Sequence, residues 1–140
     1  MRTSKPNAIV GEINVRVYFD TSATVYLVEN ILPWEPMIQA RLAKGAKIVY
    51  SDLTRMESIV KPLKLKNQKT LMEFDVLFST SELIPLTASV FDRAAQIRAD
   101  FGFKTPDAIH LAAAVESGCD QFLANDQRLS RFPSIPIDVL

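Results

Sequence analysis

At 140 residues and 48% hydrophobic composition, the chain is long enough to bury one good core and too short to divide comfortably into two. Its 16 basic and 16 acidic residues cancel, so no global positive field is available to hold a polyanion, and any grip on nucleic acid has to come from local patches or a bound cation. Cys119 is the single cysteine, which excludes an internal disulfide and any multi-cysteine zinc site, fits a reducing compartment and reads as a small core side chain.

Residues 1–14 are polar, carry Pro6 and Gly11, and break any apolar signal core with Asn7, Glu12 and Asn14. They read as a flexible leader or N-terminal extension ahead of one folded domain at 15–140. No segment approaches the roughly 20 consecutive apolar residues needed to span a bilayer, so the expectation is a cytoplasmic protein with no membrane association.

Val15, Val17, Tyr18 and Phe19 form a dense β-branched and aromatic run ending at Asp20, the pattern of a strand buried on both faces of a parallel sheet. Thr21 and Ser22 are placed to cap a following helix through Val25, Leu27 and Val28. Pro33 and Pro36 mark a second helix entry, and Gly45 ends that helix. Lys47 to Tyr50 reads as a short strand. From Asp52, the residues Leu53, Met56, Ile59, Val60 and Leu63 recur at helical spacing, and a further helix runs from about Lys69 to Phe78. Leu83 to Leu86 is a candidate edge strand because of Pro85.

Ala88 to Phe101 is again helical in period. Thr105-Pro106 reads as a helix start with Thr105 as its cap, and Gly118 as its end. Gln121 to Ala124 reads as a strand, Asp126 to Arg131 as a short turn or helix, and Ile135 to Leu140 as a final strand. Strands alternating with helices imply an α/β sandwich of three layers, with a mainly parallel central sheet flanked by helices.

In open α/β sheets, sites form where strands end and helices begin. Asp20 ends the first strand, Asp126 follows the Phe122-Leu123 strand, Asp107 lies in the first turn of a helix, and Glu57 sits about one helical turn beyond the second strand. Mutually close carboxylates repel, so such a cluster either raises some pKa values or holds a hard divalent cation, Mg²⁺ or Mn²⁺, which can activate water at a phosphodiester. Each acid also has a plainer reading: Asp107 complements a helix dipole, Glu57 completes a capping box with Thr54, and Asp126 caps the last short helix. Asp20 is hardest to explain as packing alone, since an unpaired acid at the end of a buried strand costs several kcal/mol.

Four segments carry a family resemblance: Val17-Tyr18-Phe19-Asp20-Thr21-Ser22, Thr54-Arg55-Met56-Glu57, the run Thr105-Pro106-Asp107-Ala108-Ile109-His110 with Leu111 and three alanines after it, and Phe122-Leu123-Ala124-Asn125-Asp126. In this order and at these separations they resemble the PIN-domain ribonucleases, particularly the VapC-type toxins of VapBC toxin–antitoxin systems. The resemblance implies a PIN-like fold and an endoribonuclease that hydrolyses RNA phosphodiester bonds with Mg²⁺ or Mn²⁺. It implies Asp20, Glu57, Asp107 and Asp126 as the catalytic and metal-holding acids, with direct ligation by Asp20 and Asp107, and Thr21, Ser22 and Asn125 as supporting hydrogen-bonding residues. It further implies a cognate antitoxin and a homodimer. Ala124 stands where the family often carries a hydroxyl residue.

His110, three residues after Asp107, reads as a packed or hydrogen-bonded histidine in preference to a metal ligand or general base. Lys61, Lys64, Lys66 and Lys69 are either phosphate contacts or a solvated helix end, and Trp34 either staples a helix entry or joins a subunit interface. Two other functions fit an acidic pocket on an α/β scaffold: a phosphate-receiver domain, which lacks a well-placed lysine near the C-terminal strands, and a non-catalytic PIN-like module that binds RNA or protein.

Overall fold

The β-branched run at the start of the domain forms strand β1 (Val15–Phe19), followed directly by helix α1 (Thr21–Val28) and then α2 (Trp34–Ala43). Next come β2 (Ala46–Tyr50), α3 (Asp52–Lys64), α4 (Gln68–Ser79), the two-residue strand β3 (Glu82–Leu83), α5 (Ala88–Phe101) and α6 (Thr105–Glu116). The chain closes with β4 (Gln121–Ala124), a 3₁₀ turn (Gln127–Arg131) and β5 (Ile137–Val139). This computed structural model describes residues 14–140, so the expected leader lies, except for Asn14, outside the described residues.

All strand pairings are parallel, in the spatial order β3-β2-β1-β4-β5. From β1 the chain first builds outward through β2 to β3, then crosses back to add β4 and β5 on the other side. The direction of winding therefore reverses between β1 and β4, and ligands of open α/β sheets bind outside the carboxyl ends of the strands at such a reversal.

Successive strand residues face opposite sides of the sheet. Tyr18, Phe122 and Ala124 join one core with Val90, Ala94 and Ile97 of α5 and the buried face of α6. Val17, Phe19 and Leu123 join the other with Ala23 of α1 and Ile38 of α2. A third cluster, Tyr50 with Phe74 and Phe78, seats α4 near the end of β2. The layers are thus helix, sheet, helix, as the alternating pattern predicts. In α6, Ala108, Ala112, Ala113 and Ala114 are fully buried, and their small side chains permit close packing where bulkier ones would not fit.

At the amino end of the sheet, Arg16 ties three elements together: its guanidinium bonds both Glu82 oxygens at 2.9 and 2.6 Å and the Ser117 carbonyl at 2.7 Å. Cys119 is buried beside this knot, as a core thiol. Among the described residues, no helix is long and apolar enough to cross a membrane.

Candidate active site at the carboxyl end of the sheet

Asp20 stands where β1 passes into α1 with no linker between them. Its backbone N–H donates to the Leu123 carbonyl at 3.1 Å, which anchors it to β4. Its Oδ1 accepts from the N–H groups of Ser22 (2.8 Å) and Ala23 (3.3 Å) and from the Ser22 hydroxyl (2.5 Å). Asp20 is therefore the N-cap of α1, the role expected for Thr21 or Ser22. A strand that feeds a helix without a spacer leaves its last acid nearest the free amides. Burial pushes the Asp20 carboxyl above its ordinary pKa, against the hydrogen bonds from Ser22 and Ala23.

Asp107 lies in the first turn of α6, where Lys104 is the N-cap residue and Thr105 and Pro106 already belong to the helix. The expected Thr105 cap is thus not formed: the proline falls one residue further in than a cap at Thr105 requires. Burial raises the Asp107 pKa, and the nearby charges of Asp126 and Asp20 raise it further, while Arg128 works against them. Asp20 and Asp126, far apart in the chain, therefore both act on Asp107 at the β1/β4 reversal.

Asp126 caps the 3₁₀ turn through Arg128 N–H at 3.0 Å, as its plainer reading expects. It is also gripped by the Arg128 guanidinium, Nε to Oδ1 at 3.0 Å and Nη2 to Oδ2 at 2.7 Å. The hydrogen bonding by Arg128 holds this carboxyl below its ordinary pKa.

Glu57 takes no part in the α3 capping box, which is made by Ser51 and Thr54. Its Oε1 instead accepts from the Thr21 hydroxyl at 2.6 Å and meets His110 Nε2 at 2.7 Å. Burial would raise the Glu57 pKa, but the His110 and Thr21 hydrogen bonds together outweigh it and hold the carboxyl low.

Of the supporting residues, Ser22 bonds Asp20 and Thr21 bonds Glu57. Asn125 turns away to donate to the Tyr26 hydroxyl at 2.8 Å, and Tyr26 in turn stacks on Trp34 with ring centroids 4.4 Å apart. Trp34, the first residue of α2, thus packs against α1. The four acids do not converge on a point: among the described residues no three His, Cys, Asp or Glu side chains are placed to hold one ion. Asp126 is paired with Arg128, and Glu57 with His110.

A small cavity of about 140 Å³ opens beside Asp107 and Asp126, lined also by Lys104, Arg128 and Arg131. This basic rim escaped the sequence reading, which looked to Lys61 through Lys69. The available signal was a cation two residues from a candidate acid, Asp126-Gln127-Arg128. Arg131 is partly committed elsewhere, over the Phe103 ring at 4.3 Å and on the Phe101 carbonyl at 2.6 Å.

Several solved structures share this fold. VapBC2 from Rickettsia felis, bound to a promoter DNA fragment, aligns with a TM-score of 0.75 at 17% identity over 89% of this chain and 98% of that one. A toxin–antitoxin complex from Klebsiella pneumoniae aligns with a TM-score of 0.68 at 25% identity over 85% and 94%. A Mycobacterium tuberculosis VapC toxin, described as cleaving the sarcin–ricin loop, aligns with a TM-score of 0.67 at 15% identity over 86% and 98%. No curated protein matches in sequence. The PIN domain model matches residues 17–135, a span that takes in all four candidate acids, and on this match the chain belongs to the PIN domain family.

Proposed function

We propose that this protein is a metal-dependent endoribonuclease, the toxin of a toxin–antitoxin pair, which hydrolyses RNA phosphodiester bonds at the crevice formed by Asp20, Glu57, Asp107 and Asp126. The observation that carries this reading is the PIN domain match over residues 17–135, which takes in all four acids, with Asp20 at the end of β1 beside the winding reversal. Asp107 is partly buried and feels the charges of both Asp126 and Asp20, and such crowding favours a cation.

The donor set fits Mg²⁺ or Mn²⁺, being carboxylate oxygen throughout with no cysteine among the four. Asp20 and Asp107 are the direct ligands in this proposal, and Glu57 and Asp126 act through bound water or a second ion. Such a cation, when bound, supplies an activated water and neutralises charge developing on the phosphate. The chain's own contribution is orientation. Ser22 and Ala23 fix the Asp20 carboxylate, and Thr21 and His110 fix that of Glu57. Lys104 and Arg128 on the rim are suited to phosphate contacts, which position an RNA backbone without reading its sequence.

The protein is proposed to work in the cytoplasm as a homodimer held in check by a cognate antitoxin. This part of the reading draws on the neighbours solved as VapBC and toxin–antitoxin complexes. It draws also on the apolar strip Met56, Val60 and Leu63 on α3 with Met72 and Val76 on α4, all exposed and without cover in the single chain.

The test is cleavage of RNA by the purified chain with Mg²⁺ or Mn²⁺. Activity is expected to vanish with EDTA and in the Asp20→Asn variant, and cleavage that survives both refutes the mechanism. Mn²⁺ binding without cleavage across a broad RNA panel identifies a binding module instead.

A further inference from the structure

His110 is the sole histidine of the chain, only 3% exposed, and its ring is held at both nitrogens. Nε2 lies 2.7 Å from Glu57 Oε1, and Nδ1 lies 2.6 Å from the Tyr18 hydroxyl. Tyr18 is fully buried, and its oxygen is also 2.8 Å from Ser51 Oγ and 3.1 Å from Thr54 Oγ1, the capping-box pair at the start of α3.

With a neutral ring, counting donors and acceptors gives this chain of contacts one direction. An ionised Glu57 carboxylate only accepts, so the proton between it and the ring belongs to Nε2. In a neutral ring Nδ1 then has only a lone pair to offer, and the Tyr18 O–H must donate to it. The Tyr18 oxygen is left to accept from Ser51 or Thr54. Burial pushes the Tyr18 phenol well above its ordinary pKa, so the hydroxyl has a proton to donate. No buried side-chain polar atom is left unpartnered among the described residues.

Both hydrogen bonds to Glu57 fall on Oε1, and neither uses Oε2. We propose that His110 is a positioning residue: its Nε2–H, locked in one tautomer by Tyr18, fixes the Glu57 carboxylate so that Oε2 stays available to the crevice. The assignment rests on the reading of Glu57 as part of a metal-dependent site. Partners that orient metal-site groups in this way typically change metal affinity or activity by about 10–100-fold when removed.

Two measurements on the full chain test it. With one histidine, the side-chain ¹H–¹⁵N correlation spectrum of the unsubstituted protein at neutral pH is unambiguous, and a proton on Nε2 alone is expected. A ring protonated at Nδ1, alone or together with Nε2, overturns the proposal without any variant having to fold. The second measurement is Mn²⁺ affinity by calorimetry for His110→Ala, Glu57→Ala and the double variant. His110→Ala is expected to weaken Mn²⁺ binding about 10–100-fold, with no further loss when Glu57 is already alanine, and His110→Gln is expected to restore affinity by supplying an N–H near the Nε2 position. Equal losses in both backgrounds, or a lowered melting temperature with unchanged affinity, mean that His110 only supports the fold. Failure of the unsubstituted chain to bind Mn²⁺ sinks the nuclease reading, whereas normal binding with an additive cycle sinks the positioning role alone.

Discussion

Asp20 does two jobs that a single substitution separates. As a cap it needs only a side-chain oxygen to accept from Ser22 and Ala23, and asparagine supplies one at little cost. As a proposed ligand it needs charge, which asparagine lacks. Asp20→Asn should therefore melt at or above the temperature of the parent by circular dichroism while losing RNA cleavage; a variant that unfolds instead would tie the charge to the fold. Cys119 gives a separate test at this scale. Burial raises its pKa from the ordinary value of 9.0 to about 11, with Glu82 and Asp120 adding to the shift and Arg16 opposing it. A raised folded-state pKa stabilises the fold below the unfolded value, and that contribution is lost as pH climbs from about 9 to about 11. Iodoacetamide should accordingly label the native thiol far more slowly than the urea-unfolded chain at pH 9, and equal rates would contradict the burial.

The helices differ in how much change they tolerate. α6 lies against the sheet through fully buried alanines, so Ala113→Leu inserts volume where none is free and should cost about 1–3 kcal/mol in urea titrations. A neutral outcome would mean that the α6 contact is looser than its burial implies. The same helix marks the limit of what the sequence discloses. Its length and buried face follow from periodicity and from Gly118, because these are local properties. Its first residue lies one earlier than Thr105-Pro106 predicts: Lys104 stands at the N-cap without a side-chain hydrogen bond, against the preference that makes Thr105 the expected cap. β1 and β4 were legible as apolar runs, and Asp20 and Asp126 stood out at their ends. The partners of those acids were not legible. His110 finds Tyr18 at a separation of 92 residues and Glu57 at 53, and no one-dimensional pattern relates the three. Glu57 looked free to close a capping box with Thr54 until the fold gave that box to Ser51.

At the scale of the molecule, the two ends of the sheet differ electrostatically. Around Arg16 the charges are paired across β1, β3 and the turn before β4, whereas at the carboxyl end Asp107 feels the charges of both Asp20 and Asp126. The surface is uneven in another respect, since α3 and α4 together present Met56, Val60, Leu63, Met72 and Val76 to solvent. Light scattering coupled to size exclusion should find a dimer, and the double substitution Val60→Glu with Val76→Glu should return a monomer of unaltered melting temperature. A parent chain that is monomeric at all concentrations tested removes the homodimer from the proposal.

The crowding of Asp107 with Asp126 and Asp20 has a thermodynamic corollary. A solute that binds only the native state raises its stability by mass action, by about 2.7 kcal/mol at a hundred times its dissociation constant. In EDTA, Asp107→Asn should outlast the parent on heating, because one of the opposed charges is gone; as Mn²⁺ is added, the parent's unfolding curve should climb and overtake it. Two thermal denaturation series that cross would make heat resistance a gauge of occupancy that requires no RNA, and series that stay parallel would mean that the acids attract no cation.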